Sequence, residues 1–363
     1  MKSRITDLSL AQLEALASSY GEPAYRARQI FQWLYKALAN SFDEMTDLPA
    51  GFRQALAAET VLLGLSPLDE TATDDGRTVK MLFKLEDGKS IESVLMLVEG
   101  TRGDSRWNTV CVSSQVGCSI CCPFCGTGQQ GFERNLSPGE IVEQVLYFQR
   151  QLANHYYDNT LAGLTPPHVS HVVFMGMGEP LANYESVSQA IETLISKQGL
   201  GISARHITVS TAGLTPQIER LANERFHVEL AVSIHAANNE LRNRLVPINR
   251  TYPLEVLIPA VKEYFKKTGR RPTFEYTLLE GINDSPQQAG ELASLLRGLK
   301  CHVNLIPTSP TLSKEFLPSS KEQALGFQSE LTRCRISNTL RVSRGLAIRA
   351  ACGQLHSRWQ ATS

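Results

Sequence analysis

Apolar positions fall into three successive regimes along the chain. Over residues 1–60 they recur at helical spacing. Ser9 and Gln12 form a capping-box pattern around Leu10, ahead of Leu13 and Leu16, and Gly21 and Pro23 break that helix. A second helix is predicted from about residue 24 to 37, with Ile30, Phe31, Leu34 and Tyr35 at helical spacing, and a third from near Pro49. Between Thr78 and Val98 the period drops to two. Val79, Met81, Phe83 and Leu85 alternate with polar residues, Asp87-Gly88 marks a turn, and Ile91 to Val98 reads as the second strand of a hairpin.

From about Asn108 onward strands and helices alternate. Strands are predicted at Val110 to Ser113, Val169 to Met175, Ile207 to Ser210, Val228 to Ile234, Thr273 to Leu278 and His302 to Pro307. Ser137-Pro138-Gly139-Glu140 starts a helix that runs to about Leu152, and Ser285-Pro286 repeats the cap logic before a helix over Leu292 to Leu299. Five or six β/α units in succession predict an α/β fold with a parallel sheet or barrel. Polar and glycine-rich residues sit just after the strands, where parallel α/β folds bind ligands. The cysteine loop after Ser113, Gly176-Met177-Gly178-Glu179-Pro180, Ser210, Ser233-Ile234-His235 and Asn304 should therefore converge on one mouth.

Composition changes this picture little. A chain of 363 residues predicts one large domain with a smaller one. Lys+Arg and Asp+Glu both number 36, so net charge argues neither for nor against nucleic acid. Arg26, Arg28 and Lys36 could meet phosphate or form a solvated helix face. The first residues hold no apolar core of signal-peptide type, and no apolar run reaches the roughly 18 residues that span a bilayer. The expected location is the cytoplasm, away from membranes, where clustered thiols read as metal-binding or catalytic.

The cysteines change it a great deal. Five of the eight lie between Cys111 and Cys125, and Cys118, Cys121, Cys122 and Cys125 fall within one short loop. Two abutting Cys-x2-Cys pairs can hardly wrap one zinc ion, whose structural sites separate the pairs by a long spacer. A thioredoxin-like pair would leave two thiols idle. Ferredoxin spacing needs a remote fourth thiolate. A three-thiolate set remains, and spacing alone permits Cys118, Cys122 and Cys125 or Cys118, Cys121 and Cys125. Cys301 and Cys334 read as core, His168 and His171 as structural. Glu92, inside a strand, is not selected by pattern alone.

Cys118-x3-Cys122-x-Phe124-Cys125 resembles the signature of the radical S-adenosylmethionine superfamily. Its surroundings, together with Gly-Met-Gly-Glu-Pro (176–180), Val-Ser-Thr-Ala-Gly (209–213), Val-Pro-Ile-Asn (246–249), Val-Asn-Leu-Ile-Pro (303–307) and Ala-Ala-Cys-Gly-Gln-Leu (350–355), resemble one branch, the RNA adenine methyltransferases of RlmN and Cfr type. The resemblance spans nearly the whole chain and keeps family order. The chain departs from the family pattern at Gly126, at Thr308 and Ser309, and at Leu346 and Ala347.

The resemblance implies a partial parallel (β/α)6 radical S-adenosylmethionine barrel over 101–350. It implies a helical RNA-binding domain over 1–62, a β-hairpin extension over 63–100, and a tail, 351–363, that carries the methyl-accepting cysteine. Cys118, Cys122 and Cys125 become ligands of one [4Fe-4S] cluster, with Cys121 a bystander. S-adenosylmethionine is placed against Gly178, Glu179, Ser210, Ser233, Ile234, His235 and Asn304. Two molecules are consumed per turnover: one methylates Cys352, and the other is cleaved to a radical that takes hydrogen from the methylated cysteine. The resulting carbon radical adds to adenine, Glu92 or Cys111 takes the ring proton, and Cys111 then forms a transient disulfide with Cys352. The implied reaction is C2 methylation of an adenine in 23S rRNA and of the adenine beside the anticodon in tRNA, by a monomer fed electrons by flavodoxin or ferredoxin. Cfr-type C8 methylation of the same 23S rRNA adenine is the closest rival, and the shared motifs do not separate the two, though residues 23–48 look more like RlmN. An iron–sulfur protein that only moves electrons or senses redox state is the rival of another class.

Overall fold

The structure, a computed structural model, describes residues 2–99, 106–157, 167–307, 315–341, 345, 348–350 and 353–355. Cys352, Leu346, Ala347, Thr308 and Ser309 lie outside the described residues.

One sheet organises the chain. Its parallel part runs, in spatial and chain order, through Arg106–Cys111, His171–Phe174, Ile207–Thr211, Glu229–Ser233, Thr273–Leu278, His302–Pro307 and Asn338–Leu340. A helix follows each of the first six strands, among them Pro138–Tyr157, Tyr184–Ile195, Thr215–Leu221 and Leu254–Thr268. The result is six β/α units and a short closing strand, a parallel α/β barrel that, among the described residues, stays open between its end strands. The serine caps do what their sequence asks. Ser285 accepts from the Gln288 backbone N–H while the Gln288 side chain accepts from the Ser285 N–H, with Pro286 at the first helical position.

The hairpin between Thr78 and Val98 forms as the strands Thr78–Lys84 and Ser90–Glu99, turning at Gly88, whose φ of 82° suits glycine. It does not stand apart from the barrel. Ser90–Glu99 pairs antiparallel with Arg106–Cys111, so the hairpin continues the barrel sheet. A third strand, Ser66–Ala72, extends that arm and carries a register shift between Pro67 and Asp69. It is largely exposed on both faces and has no apolar alternation to announce it.

Strand parity divides the barrel wall. Val209, Leu230, Val232, Phe274, Tyr276, Val303 and Leu305 are buried in the core beneath the helices. The alternate residues line up across the strands by register: Ser210 beside Ala231, Ser233 beside Glu275, Glu275 beside Asn304. The inner face is thus polar where the outer is apolar.

At the N-terminus, helices Leu10–Ser19, Tyr25–Tyr35 and Ala50–Glu59 are closed by a two-stranded parallel sheet of Ser3–Arg4 and Thr60–Val61. This unit docks on the barrel helix Pro138–Tyr157 through Glu143. That buried carboxylate accepts from Arg4 (2.7 Å), from the Thr6 hydroxyl (2.6 Å) and from the Gly64 and Leu65 N–H groups. Arg150 adds donations to the Leu38 and Ala39 carbonyls. Arg26 is engaged inside the unit, with Glu22 at 3.4 Å, Gln29 and the Asp47 carbonyl. No helix among the described residues is long and apolar enough to cross a membrane.

Candidate active site

The strand Arg106–Cys111 ends at the mouth of the barrel, and the chain turns into the cysteine loop. The loop is fixed by its own backbone. Cys118 N–H donates to the Gly131 carbonyl (2.8 Å), Cys125 N–H to Cys122 (3.1 Å), and Gln129 N–H to Cys125 (3.0 Å). Cys121 turns the chain with a positive φ of 57°, and Gly128 lies so close that a Cβ there would sit 2.6 Å from the Cys122 carbonyl oxygen. The turn sorts the thiols. Cys118, Cys122 and Cys125 line one cavity, whereas Cys121 is exposed and its Sγ donates to the Cys118 carbonyl.

Burial pushes the Cys118 thiol up to about 12 and raises Cys122 and Cys125 as well, so without a metal group bound these thiols are protonated near neutrality. Loading a metal group there must release protons. Among the described residues no three His, Cys, Asp or Glu side chains form the shell of a single metal ion. A zinc ion draws its sulfurs to about 2.3 Å. A cluster takes one thiolate per iron and needs the sulfurs spread around a larger body. Three thiols facing one cavity from a short loop fit the second requirement.

The rest of the cavity comes from the strand ends. Gly176, Gly178, Glu179, Ser210, Ala212, Ser233, His235, Glu275 and Thr277 contribute. Gly178 has φ 104°, and a Cβ there would meet the Gln115 side chain at 2.6 Å. Glu179 is buried, with its carboxylate accepting from the Leu181 N–H (3.0 Å) and the Ala212 N–H (2.7 Å). Desolvation outweighs those bonds and raises its pKa to about 7. His235 has a positive φ of 54° and packs edge-on to Phe124. Its Nδ1 accepts from the Thr277 N–H (3.0 Å), which assigns the ring proton to Nε2. Burial, with Arg242 adding to it, drives its pKa down to about 3, so the ring stays neutral.

Two predicted contacts are not on the cavity wall. Ile234 is fully buried in the core, and only its backbone works toward the site, donating to the Glu275 carbonyl. Asn304 sits beside Glu275 on the next strand, on the same inner face, and donates from Nδ2 to Glu275 Oε1 at 2.9 Å, while Glu275 lines the cavity.

Glu92 and Cys111 are buried on one face of neighbouring strands, since Cys111 pairs with Val94, two residues from Glu92. Glu92 forms an ion pair with Lys80 at 2.9 Å, and Lys80 also reaches the Arg349 carbonyl at 3.5 Å. The C-terminal stretch meets the cysteine loop as well. Gly126 N–H donates to the Gly353 carbonyl (2.7 Å), and the Thr127 hydroxyl donates to the Leu355 carbonyl (2.6 Å). Gly353 and Leu355 line the cavity. A Cβ at Gly126 would lie 3.1 Å from the Gly353 oxygen, which gives this departure from the family pattern a steric reason.

Sequence reasoning missed Lys80, Gln115, Arg242 and Glu275. Glu275 and Thr277 were open to inference, because parity along Thr273–Leu278 puts them on the inner face. Arg242 was not. It is fully buried, bonded to the carbonyls of Ala212, Ser233 and Ile234, and burial lowers its pKa to about 10 against the opposing pull of Cys122.

A parallel β/α barrel whose strand C-termini open on three thiols defines a radical S-adenosylmethionine protein, and residues 160–293 match the Radical SAM superfamily. Residues 4–62 match the Ribosomal RNA large subunit methyltransferase N-terminal domain. The dual-specificity RNA methyltransferase RlmN of Syntrophobacter fumaroxidans is 47% identical over 97% of this chain and 97% of its own. The ribosomal RNA large subunit methyltransferase N of Nitrosopumilus maritimus is 43% identical over 95% and 96%. Among solved structures, a radical SAM methyltransferase from Sphaerobacter thermophilus superposes with a TM-score of 0.89 at 48% identity, covering 97% of this chain and 99% of that one. The chain belongs to the RlmN family of radical S-adenosylmethionine RNA methyltransferases.

Proposed function

We propose that this chain methylates C2 of an adenine in 23S rRNA and of the adenine beside the anticodon in tRNA, through a methylated Cys352. The observation that carries the reading is the docking of Gly353 and Leu355 onto Gly126 and Thr127, which directly follow the cavity-facing Cys125. Cys352 precedes Gly353 directly in sequence. Carbon 2 of adenine lies between two ring nitrogens and is too electron-poor to attack a methyl sulfonium, so a carrier on the protein and a radical route are required.

Cys118, Cys122 and Cys125 would hold a [4Fe-4S] cluster, which supplies the electron that cleaves S-adenosylmethionine. The Glu179 carboxylate suits the cofactor's amino group, the glycines at 176 and 178 let this cavity-lining turn pack against Val112 and Gln115, and Ser210 and Ser233 line the bed. His235 orients as a neutral Nε2–H donor, and Asn304 acts by steadying Glu275. Cys352 Sγ would accept the methyl group of one S-adenosylmethionine, lose one of that methyl's hydrogens to the 5′-deoxyadenosyl radical of a second, and carry the resulting carbon radical to the ring. Glu92 or Cys111 takes the ring proton. Cys111 Sγ then bonds to Cys352 Sγ as the carbon–sulfur bond breaks, and an external reductant restores both thiols. Flavodoxin or ferredoxin is the class of electron donor, the N-terminal unit contacts the RNA, and the protein works as a monomer.

Anaerobic reconstitution with S-adenosylmethionine and a reductant should yield 5′-deoxyadenosine, and protein made in cells should carry a methyl or methylene group on Cys352. An unmodified Cys352 under turnover contradicts the two-step scheme. Absence of 5′-deoxyadenosine favours the electron-transfer rival.

A further inference from the structure

Arg242 poses a physical problem. It is fully buried, the largest such side chain among the described residues. Nε donates to the Ile234 carbonyl (3.1 Å), Nη1 to Asn249 Oδ1 (2.7 Å), and Nη2 to the carbonyls of Ala212 (2.6 Å) and Ser233 (3.1 Å). These are all neutral acceptors. Among the described residues no carboxylate lies within salt-bridge distance of it. A guanidinium cannot shed its proton to escape the cost, and a buried charge without a counter-ion costs several kcal/mol. Hydrogen bonds offset part of that but leave the charge uncompensated.

The cavity lies next to this charge. Arg242 Nη2 holds the carbonyls of Ala212 and Ser233, and both residues line the same cavity as Cys118, Cys122 and Cys125. We propose that Arg242 is the buried counter-ion of the cluster bound by Cys118, Cys122 and Cys125, and that it sets how readily that cluster accepts an electron. The proposal rests on the cluster reading given above. Three thiolates on a tetra-iron core make an anion, and one-electron reduction adds a further negative charge without adding a proton. A fixed cation behind the wall therefore favours the reduced form more than the oxidised one. The low-dielectric surroundings that make Arg242 costly in the empty protein make it effective in the loaded one. Arg242 does this without touching the cavity, so it is a positioning and electrostatic residue rather than a catalytic one.

The test is an anaerobic redox titration of the reconstituted holoprotein, followed by electron paramagnetic resonance, without S-adenosylmethionine. Iron and sulfide content are measured on each sample. Arg242→Gln should shift the midpoint to more negative potential by about 59 mV or more, a tenfold loss of reduced fraction at fixed potential. Arg242→Lys, which keeps the charge, should stay near the parent. Should the Gln protein fail to fold, Arg242→Met is the second neutral replacement and carries the same expectation. Equal shifts in the Lys and neutral variants would mean that only hydrogen bonding matters, and would overturn the proposal. So would an unmoved midpoint accompanied by weakened S-adenosylmethionine binding, which would make Arg242 the partner of the cofactor carboxylate instead. A parent protein that takes up no iron defeats the underlying cluster reading. A fully loaded parent with an unmoved neutral variant defeats this proposal alone.

Discussion

Two buried arginines mark the two junctions of this molecule and are treated in opposite ways. Arg4, at the seam between the N-terminal helices and the barrel, lies 2.7 Å from Glu143, with Glu86 and Glu140 each at 3.9 Å. Arg242, behind the cavity wall, is bonded to three carbonyls and an asparagine. The first charge is neutralised within the fold and serves docking. The second is left for whatever fills the cavity. Burial alone therefore says little about what a charged residue is for; its partners decide.

The largest effect should come from breaking the paired charge. Arg4→Met leaves Glu143 buried with its main counter-ion gone, and should cost about 3–5 kcal/mol of stability by urea unfolding. Glu179 offers the next test, because a buried carboxylate can neutralise itself where an arginine cannot. Its folded pKa is raised from 4.5 to about 7, so the native state binds a proton that the unfolded state has lost. Stability of the empty protein should then fall as pH rises from about 4.5 to 7, by a few kcal/mol at most, and Glu179→Gln should flatten that slope. Arg242→Met in the empty protein should cost less than Arg4→Met, about 1–3 kcal/mol, for acceptors left unsatisfied rather than for a stranded charge. A loss equal to that of Arg4→Met would show that Arg242 is already compensated inside the fold. The smallest effect is at the tail. Gly126→Ala crowds the Gly353 oxygen and should cost about 1 kcal/mol while making cleavage at Arg349 by trypsin measurably faster.

The same contrast explains what could be read from the sequence. Thr273–Leu278 and His302–Pro307 form as their patterns predict, because each has one face in the core and one in the barrel interior. Val169 to Met175 shortens to His171–Phe174, since Met175 leaves the ladder for the mouth and at the other end the Val169 N–H donates to the Gln149 side chain. Ser66–Ala72 went unread because an exposed edge strand has no face to bury. In the site, the cysteines were legible from spacing, but the exclusion of Cys121 from the cavity depends on its positive φ, which no residue type announces. Lys80 reads as a solvated strand position and turns out to join Glu92 to the Arg349 carbonyl. Arg242 was the least legible of all, since it sits in a charged run on the short helix Asn239–Leu245 and its main partners are backbone carbonyls.

The central claim is the reaction. Nucleoside analysis of 23S rRNA, after anaerobic incubation with the reconstituted protein, S-adenosylmethionine and a reductant, tests it most directly. The account predicts 2-methyladenosine from the intact protein and none from a Cys352→Ala variant that still holds its cluster. Recovery of 8-methyladenosine, or of 2-methyladenosine from the variant, would contradict it.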